Sequence, residues 1–428
     1  MADGGDRAAA AAGGASRDLI SALPDDLLLT ILLRVPTIEA IRTCALSRRC
    51  RALWTNLPEL TFNDKDAGIQ RLRFADLVDG VLHRSARCDL SIFEVSVYCD
   101  CNVDDAAARV PAWILAAAPR ATGKFRIWMV AQREQVQQDE TRALLDLPCL
   151  PRAKNISLTL KIKHNAELRL PAPGAGAFAC LTGLELEFLR LTDGGADLGD
   201  LVSSRCPQLE KLRLFRVSGL TELSIRAGKL LQLNLATLPD LERLSLVASK
   251  LRVLHLLVCF GAGDTTLSVQ APMLEDVGWF GNCPEDMRFD AMRNLQKLVV
   301  GGSKLGAIRF NHSTSHAKFL QHFGHTDFLK LQISLPMVNL CSAGCLCDEP
   351  ASWKDQKVCF NFLEELMFNG FMGTGCEMDF LIFMIGRSKA LKVVWVAFCK
   401  GADLIKDIEE IRKEIVSSLP AGCSVQFS

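Results

Sequence analysis

The chain has 428 residues, which exceeds one typical domain and is long enough to bury a large core. Its 49 basic and 49 acidic side chains balance, so composition gives no general attraction to nucleic acid or to an anionic membrane. Seventeen cysteines are scattered over the chain, mostly at apolar positions such as Cys180, Cys206 and Cys259. That distribution favours buried free thiols in a reducing compartment over a disulfide framework.

Residues 1–17, MADGGDRAAAAAGGASR, are dominated by Ala and Gly. They lack the basic start and strongly apolar run of a secretory signal, so we expect a disordered tail. No run of the chain approaches the apolar length that crosses a bilayer. These features predict a soluble protein of the cytoplasm and/or the nucleus, without a membrane partner.

Residues 18–60 have the pattern of three short helices. Pro24 is suited to the first position of a helix, and apolar residues follow in a stripe at 27, 28, 31 and 32. Thr37 and Ser47 are the expected N-caps of the second and third helices. About 40 residues are too few to bury this apolar surface alone, so the segment predicts a binding partner.

This segment, LPDDLLLTILLRVPTIEAIRTCALSRRCRALW, resembles the F-box, the adaptor-binding module of cullin-RING ubiquitin ligases. The resemblance implies a Skp-type adaptor as partner and, through it, a cullin scaffold. The positions it assigns to adaptor binding are Leu23, Pro24, Leu28, Ile31, Leu32, Leu46, Ser47, Arg48, Cys50 and Trp54. Cys50 departs from the plant pattern, in which an aromatic residue usually stands there, and so removes a large apolar anchor. An ordinary helical hairpin packed on its own domain is the alternative.

Residues 61–150 predict irregular helix-then-strand units that open a repeat array. Helices are expected at HRSAR (83–87) and at 110–118, and strands at SIFEVSV (91–97) and KFRIWMV (124–130).

One phrase recurs from residue 181 onward: an apolar residue, two others, an apolar residue, one other, and an apolar residue. Copies begin at residues 181, 209, 220, 230, 241, 251, 274, 295, 328, 363 and 391. The alternation within each copy is that of a strand with one buried face. Several copies are only ten or eleven residues apart, so alternate strands are expected on opposite walls of a stacked solenoid. AMRNLQKL (291–298) is expected to form a short helix.

CPQLEKLRL (206–214) resembles the phrase that introduces repeats in plant F-box leucine-rich-repeat proteins. From about Val358, the run FLEELMFNGFMGTGCEMDFLIFMIGRSKALKVVWV and the ending IRKEIVSSLPAGCSVQFS resemble the FBD domain of the same family. The implied fold is α/β: an F-box (18–60), a leucine-rich-repeat solenoid (61–357) and an FBD-like segment (358–428).

The chain lacks the sequence motifs of nucleotide binding, zinc peptidases and serine hydrolases. Cys341, Cys345 and Cys347 are close together, with histidines upstream, but paired zinc-finger spacing is missing, so a Cys-rich loop is favoured over a metal site. We therefore expect no cofactor, no metal and no catalytic residue.

Together these features predict the substrate-recognition subunit of an SCF-type (cullin-RING) E3 ubiquitin ligase, whose repeats hold a target protein. The alternatives are a non-degradative adaptor-bound scaffold, a repeat-based protein-interaction module, or a small-molecule co-receptor. Arginines on the repeats predict an acidic or phosphorylated target segment: Arg213, Arg216, Arg226, Arg243 and Arg252. A merely solvated basic face is the other interpretation. The sequence does not identify the target.

Overall fold

A computed structural model of the chain describes 20, 22–66, 73–85, 88–131, 144–162, 166–192, 196–261, 264–284, 286–290, 292–301, 319–323, 329–334, 359–399 and 407–428. The predicted tail at 1–17 and the Cys341–Cys347 group lie outside these residues. None of the helices in the described ranges combines the length and apolar character needed to cross a membrane.

Three short helices open the described chain, as the sequence predicted: α1 (Asp25–Leu32), α2 (Thr37–Arg42) and α3 (Arg48–Leu53). Ser47 caps α3 as expected, because its side chain accepts a hydrogen bond from the backbone N–H of Cys50. Two details of the prediction are wrong. Pro24 is the N-cap of α1 and not its first helical residue. Thr37 lies inside α2, and its hydroxyl accepts a hydrogen bond from the N–H of Thr61 at 2.8 Å, which ties the helices to the first strand.

Helix-then-strand units follow, also as predicted. Their elements are β1 (Glu59–Asn63), α4 (Phe74–Arg84), β2 (Leu90–Val97), α5 (Asp100–Ala117) and β3 (Ala121–Val130). α4 overlaps the expected HRSAR helix only at His83 and Arg84, because it begins at Phe74 and ends at Arg84. α5 is much longer than the expected run at 110–118.

The middle of the described chain consists mainly of strands. They are β4 (Leu144–Asp146), β5 (Asn155–Lys161), β6 (Ala166–Arg169), β7 (Gly183–Leu191), β8 (Lys211–Ser218), β9 (Glu222–Arg226), β10 (Gln232–Ala236), β11 (Arg243–Val247), β12 (Val253–Leu257), β13 (Thr266–Gln270), β14 (Asp276–Phe280), β15 (Asp286–Phe289), β16 (Lys297–Gly301) and β17 (Leu329–Ser334). One short helix, α6 (Ala196–Asp200), precedes β8. The helix expected at 291–298 is wrong, because this segment leads into β16.

The C-terminal part alternates strands and helices: β18 (Leu363–Phe371), α7 (Gly375–Gly386), β19 (Val393–Phe398), α8 (Ile408–Ser417) and β20 (Ser424–Phe427). The expected helix from Met378 to Ile385 and the closing helix-then-strand are both present. A capping box fixes the start of α7, since Thr374 and Glu377 bond each other's backbone N–H.

Within the described residues the strands form two parallel sheets. The large sheet has the order β1-β2-β3-β5-β7-β8-β10-β12-β14-β16-β17-β18-β19-β20, with β4 and β6 attached at β7, and the small sheet has the order β15-β13-β11-β9. From β8 to β15, successive strands therefore alternate between the sheets. This is the arrangement expected for phrases spaced ten or eleven residues apart.

In-register apolar side chains supply the core between the sheets. Leu212, Leu233, Leu254 and Val277 are direct neighbours on β8, β10, β12 and β14, and each is at most 1% exposed. Each strand therefore buries its apolar edge against the next one, and no single repeat could do so alone.

Candidate interaction surfaces

Helix α1 presents an apolar stripe to solvent. Leu27 and Ile31 are each 51% exposed, and Val35, just beyond the helix, is 41% exposed. Their spacing of four residues places them along one side of the helix. Leu27 and Val35 were not among the predicted adaptor-binding residues, although this spacing could have revealed them.

The opposite side of α1 is part of the core. Leu28 and Leu32 are buried, and so is Trp54 in the turn that follows α3, at 3% exposure. α1 contacts both α3 and this turn. Three of the ten predicted adaptor-binding side chains therefore pack inside the chain, where they hold the helices together.

The segment between α2 and α3 adds a second exposed apolar group. Leu46 is 77% exposed, and it is followed by the exposed Ser47 and Arg48. Cys50 and Leu23 are half-buried and Pro24 is exposed. The structure thus leaves seven of the predicted residues wholly or partly accessible.

Arg49 joins the first and third helices. Its Nε donates to Asp25 Oδ1 at 2.7 Å, and its Nη2 donates to the backbone carbonyl of Leu23 at 2.5 Å. These charge-assisted contacts help to hold α1, which carries Ile31, against α3, which Leu46 precedes.

The five predicted target-binding arginines do not lie together. Arg213 and Arg216 belong to β8 in the large sheet, whereas Arg226 and Arg243 belong to the small sheet, and Arg252 precedes β12. The five arginines therefore do not form one continuous surface. The sequence could not assign each arginine to a sheet.

Three of these arginines already have acidic partners. The ion pairs are Arg213 with Glu187 at 2.8 Å, Arg243 with Glu222 at 3.0 Å, and Arg252 with Glu275 at 3.6 Å. Each pair is at least partly exposed, so it contributes little to stability, but it offsets the positive charge offered to a target.

The cysteines differ in accessibility. Cys206 and Cys259 are buried as predicted, and burial raises the pKa of each thiol to about 12. Cys180 is exposed, so its predicted burial is wrong. In the described part of the chain, no group of three or more His, Cys, Asp or Glu side chains is arranged to hold a metal ion.

Residues 20–62 match the family model described as the F-box domain. The chain therefore contains an F-box domain. The matched range contains all three helices, the exposed stripe on α1 and the exposed Leu46.

Similar proteins occur in Arabidopsis thaliana. A putative F-box/FBD/LRR-repeat protein is 42% identical over 85 residues, which are 20% of this chain and 18% of that protein. F-box/LRR-repeat protein 13 is 29% identical over 209 residues, 48% of this chain and 43% of the relative. An FBD-associated F-box protein is 24% identical over 286 residues, 66% of this chain and 56% of the relative. The chain thus spans between about a fifth and just over half the length of these three relatives.

Proposed function

We propose that this chain is the non-catalytic substrate-recognition subunit of an SCF-type E3 ubiquitin ligase. The F-box match together with the exposed apolar stripe on α1 is the observation that carries the proposal. The F-box binds a Skp-type adaptor, the adaptor connects it to a cullin scaffold, and the remaining chain holds a target protein. The rate of ubiquitination then rises, because the target is held at a high effective concentration near the E2 enzyme that carries ubiquitin.

The proposed domain organisation follows the sequence: an F-box over 18–60, a leucine-rich-repeat solenoid over 61–357 and an FBD-like segment over 358–428. Alternation of strands between two parallel sheets supports the solenoid, and relatives named for LRR and FBD elements support the assignments. The FBD-like segment continues the repeat array, because β18 pairs with β17 in parallel.

Adaptor binding is assigned to the accessible members of the F-box set. Ile31 and Leu46 are its apolar anchors, and Leu23, Pro24, Ser47, Arg48 and Cys50 complete it, with Leu27 and Val35 added from the structure. Leu28, Leu32 and Trp54 support this surface from within. Removing a half-exposed Leu or Ile from water contributes about 1 kcal/mol, since full burial contributes about 1.5–3 kcal/mol.

A surface double variant tests adaptor binding. Ile31→Asp with Leu46→Asp replaces two apolar anchors by charges, which should weaken pull-down of a purified plant Skp-type adaptor by about 100-fold or more. Leu32→Asp is unsuitable, because Leu32 is buried and its substitution would disturb the fold. Leu115→Asp is the matched control, since Leu115 is exposed on α5, outside the F-box. Undiminished adaptor binding by the folded double variant would contradict the assignment.

The variant Cys50→Trp tests the same surface from the opposite direction. If Cys50 faces the adaptor, an aromatic side chain there adds apolar contact area and should tighten binding. Unchanged affinity would place Cys50 outside the interface.

The alternative is a scaffold that binds the adaptor without directing degradation, favoured by Cys50 in place of an aromatic anchor. Affinity purification with a proteasome inhibitor distinguishes the two functions. Co-purification of a cullin, together with a longer half-life of the captured partner when this chain is depleted, supports the ligase. A captured partner whose half-life does not change supports the scaffold.

A further inference from the structure

The outward face of the large sheet carries an apolar strip. Phe215, Ala236, Leu257 and Phe280 are direct neighbours in register on β8, β10, β12 and β14. Each follows a buried residue on its own strand, so its side chain points away from the core. Leu257 is 37% exposed and the other three are half-buried. We name these four residues the outer strip.

The small sheet shows that the fold does not require an apolar outer face. Its corresponding row, at the last outward position of each strand, is Arg226 on β9, Val247 on β11 and Gln270 on β13, and only Val247 is apolar. The two sheets share the same alternation and the same core. Packing therefore does not explain the outer strip, and large apolar side chains facing solvent indicate contact with another molecule.

Two cations lie at the β8 end of the outer strip. The ring of Phe188 meets that of Phe215 edge-on, with centroids 5.2 Å apart. The guanidinium of Arg216 lies 5.5 Å from the Phe188 ring centroid, and Lys161 Nζ lies 6.0 Å from it. Neither cation forms an ion pair with a carboxylate of another described residue, in contrast to Arg213 beside Glu187. Their charge is therefore available to a ligand that reaches this end of the strip.

Unusual backbone conformations border the strip. Phe188, Arg216, Thr237 and Val258 have φ between 51° and 55°, and Gly281 has φ 127°. Each lies one residue beyond the outward row on its strand. A left-handed conformation is costly for β-branched Thr and Val, at about 1–3 kcal/mol each, and persists only where the surrounding structure enforces it. The backbone that borders the strip is therefore held in a fixed conformation, so the strip is a preformed surface for a ligand.

We propose that the outer strip binds an extended peptide segment of the target protein, in which apolar side chains are adjacent to a carboxylate. This inference rests on the target-binding role in the proposed function. The apolar side chains cover Leu257 and Phe280, and the carboxylate meets Arg216 and Lys161. The strip crosses three strand spacings of about 4.8 Å, a length of about 14 Å that four or five extended residues cover.

Selection from a phage-displayed library of random twelve-residue peptides tests the proposal, with the full chain bound to its adaptor as bait. Enriched peptides should carry aromatic or aliphatic residues within about five positions of Asp or Glu. The double variant Leu257→Ser with Phe280→Ser should lower recovery of these peptides at least tenfold. Arg216→Glu should keep the apolar preference and remove the acidic one. Leu144→Ser is the matched control, because Leu144 is 41% exposed on β4, away from the strip.

Several results would overturn the proposal. One is the absence of any enriched sequence motif, and another is the same motif with the double variant as with the wild type. A change in oligomeric state of the double variant, measured by light scattering, would show that the strip joins two copies of the chain. A clear drop in its melting temperature relative to Leu144→Ser would show that the strip packs within the chain. Adaptor pull-down with the wild-type chain tests the proposed function separately. Failure to bind the adaptor would refute that function, whereas peptide selection can then be repeated with the full chain alone as bait.

Discussion

Leu233 tests whether neighbouring strands unfold together. Its side chain is fully buried on β10, and its register partners are Leu212 on β8 and Leu254 on β12. Leu233→Ala removes three carbons, which costs about 2.4 kcal/mol at about 0.8 kcal/mol for each buried methylene, and the remaining cavity adds about 1 kcal/mol. The free energy of unfolding should therefore fall by about 3–4 kcal/mol.

Hydrogen exchange measured by mass spectrometry resolves this loss strand by strand. Since about 1.4 kcal/mol corresponds to a factor of ten, amides of β8, β10 and β12 should all exchange at least about 100-fold faster in Leu233→Ala. Gln232→Ala is the matched control, because Gln232 precedes Leu233 on the same strand and is only half-buried. Faster exchange confined to β10, with β8 and β12 unchanged, would refute the cooperative array.

Three further predictions concern other parts of the chain. Iodoacetamide should label Cys180 in the native protein and spare Cys259, whose thiol is buried; equal labelling would contradict that burial. Burial raises the pKa of Glu377, so its contribution to stability is present below the ordinary carboxyl pKa and is lost as pH rises through the raised value. Relative to Glu377→Gln, the wild-type melting temperature should thus fall as pH rises above the ordinary carboxyl pKa, and a rise would reverse the assignment. Arg205→Leu removes the donor that holds the carbonyl of Pro171 at 2.6 Å, so proteolysis near residue 171 should accelerate.

The strands of the array could be predicted where the leucine phrase is complete. β13 and β15 were missed because Asp264 and Pro284 stand where the first leucine of the phrase would be, although Leu267 and Val269 still alternate inward. The wrong helix at 291–298 arose because Leu295 and Leu298 fit a helical spacing as well as the phrase. The short apolar pattern alone does not distinguish the two.

The three helices of the F-box were readable from their periodicity, but the direction of the stripe on α1 was not. Leu27, Leu28, Ile31 and Leu32 form a stripe two residues wide, and only tertiary packing decides that Leu28 and Leu32 face inward. The ion-pair partner of Arg213 could not be predicted from the sequence either. Glu187 is 26 residues away and becomes a neighbour only because β7 and β8 pair in parallel.

The continuous large sheet sets a distance between the two proposed binding surfaces. Thr37 and Thr61 tie the F-box helices to β1, and the outer strip begins at β8, five strand spacings further along the sheet. At about 4.8 Å for each spacing, a peptide on the strip is held about 24–38 Å from the strand that supports the F-box. Insertion or loss of one pair of repeats would change this distance by about 5 Å and leave both surfaces intact. In the proposed ligase, the number of repeats would thus set which lysines of the target come within range of the E2 enzyme.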